Sequence, residues 1–390
     1  CSTWRRCAII AVMTNDPDRT LNHPLRIALD ASRTTVNRVT GTEHYAIRLL
    51  QSLIDLNEAE PYRHHLTLYF RDAPLTGLFP ESSLVTHRVL PQRRLWTHTR
   101  FAQALWQDRP DVTFVPAHTL PLMFPGPAVV TVHDLGFKYF PEAHPLKQRL
   151  YLDLTTRFSV GRATTVLADS LATANDLTKF YGTTSEKIRV VYPGVEIASP
   201  DTSQIEVVRR KYNLPERYFL FIGTLQPRKN ISRMVQAFDR FRRESGNDIG
   251  FVLAGGKGWL YDPAWTDGVE GVHLPGFIDE ADKAALYAGA VALVFATLYE
   301  GFGFPVIEAM HCGTPVIASN TSSLPELVGD AGLLVDPEKV PIADAMWRIA
   351  SDADLRQTLR NRGYTQAEHF NWSHAAQITI DALIAAATQV

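Results

Sequence analysis

Short runs rich in β-branched and aromatic residues alternate along this chain with longer stretches of helical periodicity, and the series occurs twice. In the first half, "LRIALDA" (25–31), "HLTLYF" (65–70), "DVTFVPA" (111–117), "AVVTVHD" (128–134), "TTVLADS" (164–170) and "IRVVYPG" (188–194) read as strands. Several are apolar at consecutive positions, as expected of a parallel sheet covered by helices on both faces. Between the first two, "TGTEHYAIRLLQSLIDL" places Ala46, Leu49, Leu50 and Leu53 at helical spacing. The second half repeats the scheme with "YFLFIGT" (218–224), "IGFVLAGG" (249–256), "VALVFAT" (291–297), "PVIASN" (315–320) and "GLLVDP" (332–337), separated by helices such as "ISRMVQAFDRFRR".

A single sheet of so many parallel strands would be unusually wide, so the expected fold class is α/β with two Rossmann-like, doubly wound domains. A chain of 390 residues with 45% apolar content has enough hydrophobic surface for two cores. The junction is expected near "GVEIASPDTSQ" (194–204), where the apolar pattern breaks and turn formers gather. Residues 1–24 read as an irregular leader, and "FNWSHAAQITIDALIAAATQV" as a last helix capped at Asn371 or Ser373.

Lys and Arg total 39 against 41 for Asp and Glu, so net charge gives no argument for a nucleic-acid partner. Cys1, Cys7 and Cys312 show no metal-ligand spacing and cannot all pair, which fits a reducing compartment. The longest apolar runs are strand-sized, short of the roughly 20 residues that a membrane helix needs.

Open α/β sheets bind ligands beyond the carboxyl ends of their strands, and the chemistry-bearing loops here follow strands. "LQPRKN" puts Arg228 and Lys229 just ahead of a helix, where two cations and free N–H groups suit a diphosphate, with a solvated basic turn as the alternative. "AGGKGW" (254–259) is a second glycine-rich strand end, either a phosphate contact or a turn. The first strand lacks a dinucleotide fingerprint, with only Gly41 near the helix start, which disfavours a nicotinamide enzyme; the amides of Gly41 and Thr42 remain able to touch an anion. "VALVFATLYEGFGFPVIEAMHCG" reads as strand, glycine loop and helix, with Pro305 in the first turn. Glu300 in the loop could hold sugar hydroxyls, and Glu308 on the helix could grip a ribose diol with its two acceptor oxygens. The alternative makes Glu300 a solvated loop residue and Glu308 a charge favoured by the helix dipole.

Three stretches, "GTLQPRKN" (223–230), "YEGFGFPVIEAMHCGTPVIAS" (299–319) and "SLPELVGDAGLLVDP" (323–337), resemble the retaining glycosyltransferases of family 4, the group 1 glycosyltransferases, and in particular their mannosyltransferases. The likeness runs from about residue 25 to the C-terminus. It implies the GT-B arrangement: an N-terminal acceptor-side domain over 1–195, a nucleotide-sugar-binding domain over 196–370, and residues 371–390 crossing back to the first. Hinges near 195 and 371 would let the cleft close on the donor. The resemblance assigns catalytic roles to His133, Arg228, Lys229 and Glu300. It places donor contacts at Gly41, Thr42, Gly223, Arg228, Lys229, Gly301, Phe302, Gly303, Phe304 and Glu308. A single Gly41–Thr42 step stands where the family more often has a glycine pair.

The chemistry implied is hexosyl transfer from a nucleoside diphosphate sugar with retention, GDP-mannose favoured ahead of UDP and dTDP sugars. The acceptor would attack on the face the diphosphate leaves, a diphosphate oxygen taking its proton while Arg228 and Lys229 stabilise the charge. A neutral His133 would orient the sugar or polarise the acceptor. No metal and no tightly bound cofactor is expected; Asp134 beside His133 reads as a loop hydrogen-bonding residue, and His311 and Cys312 as packing and helix capping.

The expected acceptor is a saccharide or a polyprenyl-linked saccharide, and the expected location cytoplasmic, with peripheral contact to the inner membrane as an option. "RVLPQRRLWTHTRFAQALW" (88–106) reads either as an amphipathic helix between strands or as a contact for an anionic lipid-linked acceptor. "HDLGFKYFPEAHPLKQR" (133–149) offers Phe137, Tyr139 and Phe140 for stacking on sugar rings. The competing functional classes are a nucleotide-sugar epimerase or phosphorylase, and a catalytically inactive nucleotide-sugar-binding or scaffold protein of the same fold.

Overall fold

The computed structural model describes residues 23–36, 40–59, 62–143, 145–258 and 260–389. Most of the leader at 1–24, with Cys1 and Cys7, lies outside them, as does Trp259.

Two parallel sheets build the molecule. The first has seven strands, β1 (Arg26–Asp30), β2 (His65–Phe70), β3 (Val85–Val89), β4 (Val112–Val115), β5 (Ala128–Val132), β6 (Thr165–Ala168) and β7 (Ile188–Val190), in the order β3-β2-β1-β4-β5-β6-β7. The second has six, β8 (Tyr218–Ile222), β9 (Gly250–Ala254), β10 (Val272–Gly276), β11 (Ala292–Phe295), β12 (Val316–Ser319) and β13 (Leu333–Val335), in the order β10-β9-β8-β11-β12-β13. The central strands are buried at every position, as in β5 and β8, because helices cover both faces. Chain direction across the sheet reverses between β1 and β4 in one domain and between β8 and β11 in the other. Such switch points open a crevice at the carboxyl ends of the strands.

Two strands are additions to the sequence reading, and both are edges. β3 ("VTHRV") is half exposed, and β10 ("VHLPG") carries Pro275, which has no N–H to give a ladder and is tolerated only where one side is unpaired. Neither has the continuous apolar run that marks a central strand. The stretch 88–106 is corrected accordingly: Arg88 and Val89 finish β3, and helical backbone begins only at Thr97, continuing to Asp108.

The segment 191–201 joins the sheets without regular structure. The C-terminal helix Trp372–Ala387, capped by the Asn371 side chain accepting from His374 N at 2.8 Å, packs on the N-terminal domain. Its Trp372, Ala376, Ile380 and Leu383 share one core with Leu29, Leu49, Leu50 and Leu53. The connecting and returning segments touch: Val195 N donates to Phe370 O at 3.0 Å, and a Cβ on Gly194 would overlap the backbone of Asn371 and Trp372.

Candidate active site

A cavity of about 420 Å³ opens between the two switch points. Every catalytic and donor-contact residue named from the sequence borders it: Gly41, Thr42 and His133 from the first domain, and Gly223, Arg228, Lys229, Glu300 to Phe304 and Glu308 from the second; Phe137, Tyr139 and Phe140, named for sugar stacking, do not, and Phe137 is buried.

On the C-terminal side, the loop after β8 tightens into a single turn at Pro227–Lys229, and the loop after β11 carries Glu300 to meet it. Lys229 Nζ donates to both Glu300 oxygens, at 2.7 and 2.9 Å, while an Arg228 nitrogen lies 3.8 Å from the same carboxylate and donates to Tyr299 O at 3.1 Å. Burial pulls Lys229 below the ordinary lysine value, with Glu300 opposing; burial also works against the Arg228 charge, but Glu300 and Asp134 raise it. Glu300 is itself fixed from behind, its N–H donating to Ser322 Oγ at 2.9 Å and its carbonyl accepting from Ser323 Oγ at 3.1 Å. Glu308, one turn into the next helix, accepts from Tyr287 OH at 2.6 Å. Burial raises its carboxyl above the usual range, with Lys283 opposing.

On the N-terminal side, His133 follows β5 and Asp169 follows β6, and His133 Nδ1 lies 2.7 Å from Asp169 Oδ2. Its Nε2 faces Pro116 O at 3.2 Å, so both ring nitrogens point at acceptors. Burial works against the charge, yet Asp169 outweighs it and the net shift is upward. The upward shift and the two acceptors both act in the direction of the protonated ring, whereas the sequence reading took His133 as neutral. His118, beyond β4, is the opposite case, pushed down to about 4 by burial and by His133. It accepts the His133 backbone N–H through Nε2 at 3.2 Å. Gly41 and Thr42 open the helix Gly41–Glu58, where the first amides have no intrahelical acceptor.

The two sides are in contact. A Cβ on Gly301 would overlap the His133 carbonyl and the Asp134 side chain, so only glycine permits this approach. Thr173 Oγ1 lies between the carbonyls of His133 (3.2 Å) and Gly301 (3.4 Å). Tyr299 OH donates to Asp176 at 2.7 Å and accepts from Leu135 N at 3.1 Å. Glu326 of the second domain accepts from the amides of Leu171 and Ala172, at 2.8 and 2.9 Å, and from Tyr192 OH at 2.6 Å.

Residues the sequence reading passed over also line the cavity, notably Asp169, Phe277, Ile278, Lys283 and Tyr287. Asp169 ends a strand in "TTVLADS", a position where a carboxylate in a βα series is a usable signal. Phe277 and Ile278 follow β10, the edge strand that left no apolar run. Cys312 is buried and free, its thiol pushed up to about 12 by burial, which suits packing.

Comparison with known proteins matches two separate stretches of the chain to two family models. Residues 204–366 match the family "Glycosyl transferases group 1", and residues 39–199 match "Glycosyltransferase Family 4". The chain is similar to the O-antigen chain mannosyltransferase B of Escherichia coli, 33% identical over 365 residues that cover 88% of this chain and 96% of that protein. Among solved structures, sucrose-phosphate synthase from Thermosynechococcus elongatus superposes with a TM-score of 0.70 at 22% identity, covering 91% of this chain and 97% of the other. Anabaena Alr3699/HepE, solved in complex with UDP and glucose, gives 0.68 at 18%, covering 92% and 99%. These two likenesses establish the fold, the GT-B arrangement of facing Rossmann-like domains.

Proposed function

The chain belongs to the group 1, family 4 glycosyltransferases, and from that premise we propose that it transfers a hexosyl group, with retention, from a nucleoside diphosphate sugar to a saccharide acceptor. One observation carries the proposal: a buried Lys229–Glu300 pair beside Arg228, in a cavity completed by His133 from the opposite domain. Without donor, Glu300 neutralises Lys229. An arriving diphosphate replaces the carboxylate on both cations, which frees Glu300 to accept a sugar hydroxyl. Glu308, held through one oxygen by Tyr287, offers the other to a ribose diol, and Phe277 and Ile278 offer an apolar wall to the base.

As the anomeric bond breaks, its electron pair passes to the diphosphate, stabilised by Arg228, Lys229 and the amides of Gly41 and Thr42. The acceptor oxygen bonds to the anomeric carbon on the face just vacated, and its proton passes to the leaving phosphate oxygen. His133, held by Asp169 and by the Pro116 carbonyl, adds positive charge near the reacting carbon. In this reading residues 1–195 and 371–390 form the acceptor side and residues 196–370 the donor side.

The likeness to an O-antigen chain mannosyltransferase supports GDP-mannose as the donor and a lipid-linked surface polysaccharide as the product. Leu146, Leu150 and Leu154, 60%, 50% and 64% exposed, recur every fourth residue on the helix Leu146–Arg162 with Lys147 and Arg157 nearby, which supports peripheral contact with an anionic membrane. No helix among the described residues is long and apolar enough to cross one. The test is a panel of nucleotide sugars with purified protein, with and without EDTA, products resolved by NMR. One preferred donor, released with its anomeric configuration kept, is the expected result; no binding of any donor or nucleoside diphosphate would sink the proposal.

A further inference from the structure

A second cavity, about 120 Å³, lies between the domains beside the first. Asp134, Phe140 and Ala143 line it from the loop after β5, Gln226 and Arg228 from the loop after β8, and Leu260 closes it. Asp134 and Arg228 border both cavities, so the two spaces meet at this pair. We propose that the second cavity is the subsite for the terminal pyranose of the acceptor, and that it selects a neutral sugar over an acidic one. The proposal rests on the glycosyl-transfer reading above and adds to it where the acceptor enters and what it carries.

The position follows from the chemistry of the first cavity. Attack on the face that the diphosphate vacates requires the acceptor oxygen to approach alongside the diphosphate. Its pocket must therefore adjoin the cation that binds the diphosphate. Arg228 is that cation, with one flank on the donor cavity and the other on the second.

The lining fits a sugar. Asp134 Oδ1 accepts from Gly136 N at 2.7 Å, and no protein donor among the described residues engages Oδ2. Burial works against this carboxylate, but Arg228 and the Gly136 amide hold it below the usual range, so it is an ionised acceptor for hydroxyl groups. The Gln226 side-chain amide makes no hydrogen bond within the described residues and supplies both a donor and an acceptor. Phe140 is half buried and has no aromatic partner there, which leaves its ring available to the apolar face of a pyranose. Leu260 holds a φ of 62°, a left-handed conformation that leucine rarely adopts, while remaining 51% exposed beside the opening.

The selectivity has the same origin. Arg228 is engaged by Tyr299 O and by Glu300, whose place the diphosphate takes in turnover, so it has no charge to spare for an acceptor carboxylate. A uronic acid would set its carboxylate against Asp134 with no compensating cation among the other lining residues. Neutral hexoses meet only hydrogen-bonding groups and an aromatic ring.

Saturation-transfer NMR on the full chain tests this, with methyl α-D-mannopyranoside and the methyl glycoside of the corresponding uronic acid as probes, each with GDP present. Wild-type protein is expected to saturate the neutral glycoside and not the uronide. Phe140→Ala and Gln226→Ala are each expected to reduce that signal at least threefold while the affinity for GDP stays within twofold. Asp134→Asn is expected to admit the uronide. Bound GDP with no saturation of the neutral glycoside, or equal signals in wild type and both variants, overturns the acceptor subsite and leaves the donor assignment standing. Failure to bind GDP or any other nucleoside diphosphate overturns the glycosyl-transfer reading and this inference with it.

Discussion

The two halves of the cleft reach a similar electrostatic end by different construction. The C-terminal half draws on two strand ends, each carrying a cluster: Arg228 and Lys229 follow one strand, Glu300 and Glu308 another, and the ion pair Lys229–Glu300 is complete within that domain. The N-terminal half is assembled from three strand ends, with His133 after β5, Asp169 after β6 and His118 after β4. One half holds its charge in a buried pair, Lys229 with Glu300, beside Arg228. The other keeps its charge on a histidine whose protonation depends on one buried carboxylate, so it is the pH-sensitive half.

Lys229→Ala should break the first half outright. It removes a diphosphate partner and strands a buried Glu300, and kcat/KM should fall about 10³-fold, in line with loss of a preorganised charge partner. Steady-state kinetics with the preferred donor measures it. Glu300→Gln with normal turnover would remove the carboxylate from the proposed chemistry.

Asp169→Asn should affect the other half and only conditionally. Asp169 raises the His133 pKa, so the protonated form persists below that raised value and is lost as pH rises through it. Removing the carboxylate lowers the pKa, and the alkaline limb of kcat/KM should move to lower pH. The loss should be roughly 10- to 100-fold at pH 8 and smaller at lower pH. A pH–rate profile with an unmoved alkaline limb would show that His133 does not act as the cation. Stability should follow the same sign: the His133–Asp169 pair contributes fully below the unfolded histidine value of about 6.5 and fades as pH rises past the folded one, so the thermal penalty of Asp169→Asn should be larger at pH 6 than at pH 9.

The difference in construction also explains what could be read from the chain. The parallel, doubly wound fold was legible because β8 is apolar throughout and β5 is interrupted only by Thr131. The C-terminal half-site was legible because "GTLQPRKN" and "YEGFGFPVIEAM" each keep their functional groups within one strand-loop-helix unit. The sequence pointed to His133 at the cleft, but not to its partner: Asp169 lies 36 residues away, and no periodicity links two strand ends that are neighbours only in the sheet. The edge strands β3 and β10 were missed because solvent on one side removes the pattern, and with β10 went Phe277. The need for glycine at position 301 has its cause in the opposite domain, where the His133 carbonyl leaves no room for a Cβ.

The smallest effect expected is on the closure that brings the halves together. Glu326, in the short helix Leu324–Val328, accepts two amides from the first turn of the helix Leu171–Tyr181 across the cleft, as well as the Tyr192 hydroxyl. A carboxylate at a helix N-terminus gains from the unpaired N–H groups and the helix dipole together. Glu326→Gln keeps the shape but removes the charge and places an NH2 against groups that are mostly donors. The Thr173 and Tyr299 contacts remain, so the domains should still close, less often. Donor KM should rise about 3- to 10-fold with kcat changed less, the pattern of a competent state that is populated a smaller fraction of the time. Small-angle scattering should show a larger radius of gyration for the variant without nucleotide and convergence with wild type at saturating GDP. If the radius is unchanged while kcat falls in proportion to kcat/KM, Glu326 serves the chemistry and not the closure, and the contrast between the half-sites would extend to a third group.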